Sequence, residues 1–262
     1  RLNRPPLRGA TVILLCEADW KTRRSEGLEV AAELAGRLGL SFAYAPGLGI
    51  KRRGRPGFTG FVGNAILCAE PLHDVRMVPL PGLRPPGRRT IFHGMPVGFI
   101  ATAILDGHPV TLGVAHLERW GGPQFRAEQL GKFLKVFPAH GPAIIGGDFN
   151  TATTEVVGGR DIVRVMGLML AGPRRFRDPV PYEPLFGLLR EAGFEIDGAN
   201  LPLAPTFTFT RLIPRLLRPK LDWIAIRGLR AVPGSAAVVA PRTSAFAPRV
   251  SDHDFIVCDV EP

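Results

Sequence analysis

Six polar groups stand where short apolar runs begin or end, and their types suit the handling of phosphate, a hard cation and a proton. Glu17 follows Thr11–Cys16 (TVILLC), His116 follows Val110–Ala115, and Asp148 and Asn150 follow Ala143–Gly147. Asp222 sits at the start of Leu221–Ile226, and Ser251-Asp252-His253 precedes the last apolar stretch. Mg2+ prefers oxygen ligands, commonly one or two carboxylates, with water and substrate phosphate completing its shell. Glu17 and Asp252 can supply such carboxylates from opposite ends of the chain. Asp148 can hold and polarise an attacking water, with the Asn150 amide orienting that water or the phosphate. His253 suits contact with phosphoryl oxygens or proton transfer, and Asp222 is the carboxylate best fitted by type to fix its tautomer. Any one of these at a strand end is ordinary solvation or capping. Together they point to phosphoester chemistry.

The elements that must position them are legible as patterns. TVILLC is a continuous apolar run, as in a strand buried on both faces. Ser25 is the expected cap of a helix carrying Leu28, Ala31, Leu34 or Ala35, and Leu38 on one face, stopped by Gly39. Val97–Leu105 and Val110–His116 flank Asp106-Gly107, a hairpin signal. A helix follows, with Ala127, Leu130, Leu134 and Phe137 on one side and Glu128, Lys132 and Lys135 on the other. Ala143–Gly147 reads as a strand, Val163–Ala171 and Glu183–Ala192 as short helices joined by the Arg/Pro-rich loop Gly172–Pro181. Leu221–Ile226 and Phe255–Val260 read as closing strands. His73, His93, His108 and His140 fall in loop-like stretches and receive no role. No repeat and no long linker divides the chain, so one α/β domain over residues 1–262 is expected.

Charge narrows the partners. The formal net charge is +10, and only five of the 33 basic residues are lysines. A charge of this size favours approach to phosphates. Arg52, Arg53 and Arg55, and Arg174, Arg175 and Arg177, form clusters able to meet a substrate phosphate, although such runs are more often solvated faces. RLIPRLLRPK (Arg211–Lys220) mixes Arg with Leu and Ile, a composition suited to a membrane or a nucleic-acid backbone, or to a loop pinned by Pro214 and Pro219. Three cysteines, Cys16, Cys68 and Cys258, lie in apolar runs without metal-ligand spacing and are read as small core residues. No run reaches the roughly 18 to 20 apolar residues that span a bilayer. A cytoplasmic place is the expectation. Because the chain opens at Arg1 without an initiator Met, secretion or membrane association stays open.

GGDFN at Gly146–Asn150, the terminal SDH, LDWI at Leu221–Ile224, AHLE at Ala115–Glu118 and LCE at Leu15–Glu17 follow one another in an order that resembles the endonuclease/exonuclease/phosphatase superfamily, the deoxyribonuclease I-like group. Gly63-Asn64-Ala65-Ile66-Leu67 is similar to a GNAIL segment of its bacterial members. The resemblance implies a four-layered α/β sandwich, two packed mixed β-sheets flanked by helices. It also implies hydrolysis of phosphodiesters or phosphomonoesters with Mg2+, or Mn2+ in its place. By the same resemblance Glu17 is the principal metal ligand, and Asp252 lies beside the metal. Asp148 activates water, and Asn150 binds phosphate and helps place Asp148. Asp222 and His253 pair, His116 contacts phosphate or assists the leaving group, and Asn64 lines the site. The family normally begins with a strand carrying a metal-binding Asn. Here only Arg1–Ala10 precede TVILLC, and Asn3 is followed by Pro5-Pro6, which suits a strand badly, so a domain lacking its first strand is expected. Nucleic acid is slightly favoured as substrate by the charge, with phospholipid or inositol phosphate as the alternative, and a non-catalytic polyanion-binding protein as the rival of another class. No stable protein partner is implied.

Overall fold

A computed structural model of the chain describes residues 7–50, 59–83, 92–155, 159–208, 213–241 and 250–262. Asn3, the basic loop 51–57 with Arg52, Arg53 and Arg55, and Arg211 lie outside the described residues. Contacts gather into two compact units, Arg1–His116 with Val136–Gly147, and Leu117–Lys135 with Asp148–Pro262.

The first unit is built from strands β1 (Val12–Trp20), β2 (Ser41–Ile50), β3 (Phe61–Cys68), β4 (His73–Pro79), β5 (Phe92–Gly94), β6 (Val97–Leu105), β7 (His108–Ala115) and β8 (Ala143–Asp148), with helix α1 (Val30–Leu38). One sheet has the order β1-β3-β2-β5, the other runs β4-β6-β7-β8. Every pairing is antiparallel except β7 with β8, so the second sheet is mixed. The crossover that a parallel pair requires carries the helix after His116. β3 is central in its sheet, and seven of its eight residues are buried. It packs on β6 and β7 of the other sheet, while α1 lies against β1 and β2. Ile66, Leu67, Phe99, Ile100, Leu112 and Val114 are buried on one or other face of these strands, each such burial worth about 1.5–3 kcal/mol.

Local signals were partly right. Asp106 and Gly107 both have positive φ, 49° and 80°, and close a two-residue hairpin in register Leu105–His108, as the primed turns demand. α1 ends where Gly39 turns left-handed (φ 71°), but it begins at Val30 with Glu29 at its cap position. Ser25 instead donates to the Thr22 and Leu28 carbonyls, because a hydroxyl offered to a local turn competes with capping. Leu28 is therefore exposed rather than on the helix's buried face. His73 opens β4, His93 lies in β5 and His108 opens β7, so three of the four histidines read as loop residues are in strands.

The second unit holds α2 (Pro123–Leu134), α3 (Gly159–Ala171), α4 (Pro173–Arg177), α5 (Leu185–Glu191) and β9 (Asp222–Arg227), with the short strands β10 (Arg230–Ala231), β11 (Ala237–Val239), β12 (Phe255–Val257) and β13 (Val260–Glu261). α2 packs on α5. Phe133, Phe176, Phe186, Leu189, Phe194 and Trp223 are among the unit's buried side chains. Two expectations are corrected here. Gly172–Pro181 is not a plain loop, since α4 and the start of a 3-10 helix (Val180–Tyr182) lie in it: Pro173 pre-sets the first turn and Phe176 is buried. Phe255–Val260 is not one strand. It breaks at Cys258-Asp259, and the two halves pair with different partners, β11 and β10.

Candidate active site

In the first unit, Glu17 is displayed by a defect in the ladder. β1 and β3 pair Leu15 with Ala65 and then Ala18 with Gly63, so Cys16 and Glu17 together oppose the single residue Asn64. The extra residue is a β-bulge, a device that re-aims side chains. Glu17 takes φ 53°, an uncommon value for a residue with a Cβ. Its carboxylate is 58% exposed and lies 3.9 Å from His116 Nδ1. Asn64 is buried, and its amide donates to Val97 O at 2.6 Å, joining β3 to β6 across the sheets.

GGDFN is explained by close approach. Gly147 has φ 142°, and a Cβ there would overlap the Ala115 carbonyl and lie 3.1 Å from Cys16 Sγ. Only glycine lets β8 run this close to β7 at its end.

In the second unit the chain leaves that strand through a tightly bonded turn. Asn150 is left-handed, φ 49°, its N–H donates to Asp148 Oδ1 at 2.9 Å, and its amide donates to Leu117 O at 2.8 Å. Asn150 thus holds Asp148 in place through its own backbone. Phe149 N–H bonds to Leu221 O, which brings the LDWI segment alongside. Asp222 then meets His253, Oδ2 to Nδ1 at 2.8 Å, and His253 Nε2 lies 3.7 Å from Asp148 Oδ2. His253 is steadied by its neighbours. The segment Thr206–Thr208 runs antiparallel to it, Thr208 N–H bonding Asp252 O and Asp254 N–H bonding Thr206 O, with the Phe207 ring 4.9 Å from the imidazole.

Electrostatics follow from this crowding. Burial and the nearby Asp148 charge push the Asp222 carboxyl up to about 6, against hydrogen bonds from His253 and Thr206 that lower it. Burial by itself would lower His253. The hydrogen bond to Asp222 and the charges of Asp148, Asp222 and Asp252 more than reverse this and raise it to about 10. The imidazole thus lies between two carboxylates whose charges favour its protonated form.

Asp148, Asp222 and His253 offer ligand atoms within 4.8 Å of one another. The Asp222–His253 hydrogen bond occupies Nδ1, while Nε2 and Asp148 stand 3.7 Å apart, beyond hydrogen-bond distance. Glu17 and Asp252, which the sequence assigned to the metal, are both exposed carboxylates, the oxygen donors that suit Mg2+.

What sequence reasoning missed is the support behind Asn150. Arg126 and Glu183 form a fully buried ion pair, Nη2 to Oε1 at 2.6 Å, and Arg126 also donates to Gly121 O. Burial pushes the Glu183 carboxyl up despite that pairing. Glu183 accepts the Thr153 N–H at 2.8 Å, and Arg175 donates to Thr153 Oγ1 and O. Thr153 is β-branched at φ 58°, a strained state that persists only when surroundings over-determine it. Arg177 donates to Leu203 O. Arg175 and Arg177 are thus bound to the chain's own backbone and are not poised for a substrate phosphate; Arg174 is exposed. No spacing rule relates residues 57 apart, so only the fold reveals the Arg126–Glu183 pair.

The first unit displays Glu17 on a bulge, and the second gathers Asp148, Asp222 and His253 at strand ends. The Endonuclease/Exonuclease/phosphatase family model matches residues 3–253, and the chain belongs to that family, whose members are hydrolytic phosphoesterases that generally use a divalent metal. Solved structures share the fold. An endonuclease/exonuclease/phosphatase from Beutenbergia cavernae DSM 12333 matches with TM-score 0.64 and 20% identity, over 97% of this chain and 63% of that one. The chain therefore spans 63% of that relative's length. TDP2 of D. rerio, complexed with single strand DNA product, matches with TM-score 0.56 and 16% identity, over 98% of this chain and 88% of that one. The 3′ phosphatase NExo from Neisseria, bound to product DNA hairpin, gives 0.56 and 16%, over 96% and 89%. A search of curated proteins finds no match. Among the described residues no helix is long and apolar enough to cross a membrane.

Proposed function

We propose that this chain is a Mg2+-dependent phosphodiesterase acting on nucleic acid by in-line attack of an activated water. The observation that carries this reading is His253 held between Asp222 at 2.8 Å and Asp148 at 3.7 Å. Asp222 occupies Nδ1 and so fixes the ring, leaving Nε2 to face the reacting group. Asp148 accepts a hydrogen from the attacking water and orients its lone pair at phosphorus, while the Asn150 turn prevents that carboxylate from rotating away. His253 donates to a phosphoryl oxygen as negative charge gathers there. His116 donates toward the leaving oxygen, and Asn64 secures the strand opposite the Glu17 bulge. Glu17 and Asp252 would hold the cation. When bound, it supplies Lewis-acid neutralisation of phosphate charge.

Nucleic acid is favoured by the net charge of +10, and two structures of similar fold were solved with DNA products. The test is cleavage of plasmid DNA, RNA, sphingomyelin, inositol phosphates and a simple aryl phosphodiester, each titrated with Mg2+ and then EDTA. Mg2+-dependent, EDTA-reversed cleavage that vanishes in Asp148→Asn is expected, greatest on nucleic acid. Cleavage indifferent to EDTA and to Asp148→Asn would sink the mechanism. Tight DNA binding without cleavage of any substrate would reassign the chain as a polyanion-binding protein.

A further inference from the structure

The cluster of Asp148, Asp222 and His253 leaves unused a face of the second unit where exposed apolar side chains and arginines meet. α4 contacts both α3 and the 3-10 helix Arg215–Leu217, and Arg175 lays its guanidinium over the Tyr182 ring, 4.6 Å from its centre. Around this five-residue helix emerge Leu170 at 67% exposure, Leu216 at 56% and Tyr182 at 46%. Arg164, Arg174 and Arg215 are exposed on the same elements. Residues 159–178 and 213–219 carry seven of the chain's 33 Arg and Lys and two of its 23 Asp and Glu, a net +5 of the total +10.

We propose that this face docks the protein on a membrane surface rich in anionic phospholipid. Clustered arginines are attracted by the negative potential of such a leaflet, and Leu170 and Leu216 can enter the boundary between headgroups and acyl chains, as the apolar tips of interfacial helices do. Charge complementarity alone would also fit a nucleic-acid backbone. Two features favour lipid: aliphatic leucines gain nothing from stacking on bases, and the Tyr182 ring is already covered by Arg175. The inference holds whichever phosphoester the enzyme cleaves, because none of these side chains belongs to that cluster.

The experiment is co-sedimentation of the whole chain with vesicles of phosphatidylcholine alone, or of equal parts phosphatidylcholine and phosphatidylglycerol, at low and high salt. Binding to the anionic vesicles alone, weakened by salt, is expected. Leu170→Ser/Leu216→Ser and Arg174→Gln/Arg215→Gln should each lower the partition about tenfold, with unchanged melting temperature and unchanged hydrolysis of a soluble aryl phosphodiester. Absence of anionic-vesicle binding, or binding that the leucine variant leaves intact, overturns the proposal. So does duplex DNA whose binding needs the same arginines while the vesicles are ignored, which would make the face a nucleic-acid contact. Loss of vesicle binding with hydrolysis intact separates failure here from failure of the phosphodiesterase reading.

Discussion

Glu17 and His116 approach each other only to 3.9 Å, on a carboxylate that is more than half exposed and a backbone in the left-handed region. Asp222 and His253 stand 2.8 Å apart, with Asp148 close by, and Asn150 and Thr206–Thr208 anchor all three. The first pair is loosely partnered by the chain itself; the second is finished. On the proposed function that difference would suit two duties: a group that takes an exchangeable cation must keep its oxygens available, whereas an acid–imidazole pair gains from geometry fixed before substrate arrives.

The largest effects should come from breaking the finished group. Asp148→Asn and His253→Ala are each expected to lower kcat roughly a thousandfold on any phosphoester the parent cleaves. Melting temperature should stay within a few degrees, because neither side chain anchors the core. Asp222→Asn should act through His253, so Asp222→Asn/His253→Ala should be little worse than His253→Ala. Full additivity of the two losses would show that Asp222 works alone.

Next in size is the buried support. Arg126→Met strands the Glu183 carboxylate without its cation, which costs about 3–5 kcal/mol, read as a lower urea midpoint. Arg126→Met/Glu183→Gln removes the orphaned charge and should recover part of that loss. A midpoint for Arg126→Met equal to the parent's would remove the pair from the account of how Thr153 is held.

Much of the finished group was legible because its members keep close company in sequence with strand ends. Asp148 ends β8 and Asn150 lies two residues on, Asp222 opens β9, and His253 is two residues before β12. Their types also name their chemistry. The hairpin at Asp106-Gly107 and the stop at Gly39 were legible because φ > 0 is demanded of one or two residues, and sequence carries that demand openly. β2 and β4 were not recognised. β2 contains Pro46 and five small residues (Ser41, Ala43, Ala45, Gly47 and Gly49), and β4 is mostly exposed, so neither shows the apolar run or clean alternation of a buried strand. Ser25 misled because one hydroxyl can serve a turn or a cap, and the choice rests on contacts downstream. Arg126, Glu183 and Arg175 were invisible for a different reason: charged residues read as surface until the fold shows a partner.

Lys220 gives a pH-dependent contrast of the same kind. It is 2% exposed, donates to Leu201 O at 2.8 Å and lies 4.1 Å over the Trp223 ring. Burial lowers its pKa to about 8 from 10.5, opposed by the Asp178 charge. A base whose folded pKa is depressed binds its proton less tightly when folded. Between about pH 8 and 10.5 the unfolded chain then carries the extra proton, so this residue's contribution to stability rises with pH in that window, by about 3 kcal/mol in full. Below pH 8 it contributes a constant cost. The difference in unfolding free energy between the parent and Lys220→Met should therefore grow in the parent's favour from pH 8 to 10, whatever the thiols and Tyr44 do in common to both. A difference that is flat with pH would mean the ammonium stays charged in place.

The smallest effect is the most discriminating for the open half of the comparison. Glu17 occupies φ 53°, where a Cβ is unwelcome and glycine is not. Glu17→Gly should raise unfolding free energy by up to about 1 kcal/mol, since glycine relieves the strain but adds entropy to the unfolded chain. Glu17→Gln keeps the strain and removes only the charge, so its stability should match the parent's. Both should weaken Mg2+ binding measured by calorimetry on the whole chain, a readout independent of turnover. Strain kept at the very residue proposed to hold the cation is what a functional bulge predicts. If Glu17→Gly neither gained stability nor lost Mg2+ affinity, the bulge would be a local accident of strand pairing, and the cation would have to be held by other carboxylates.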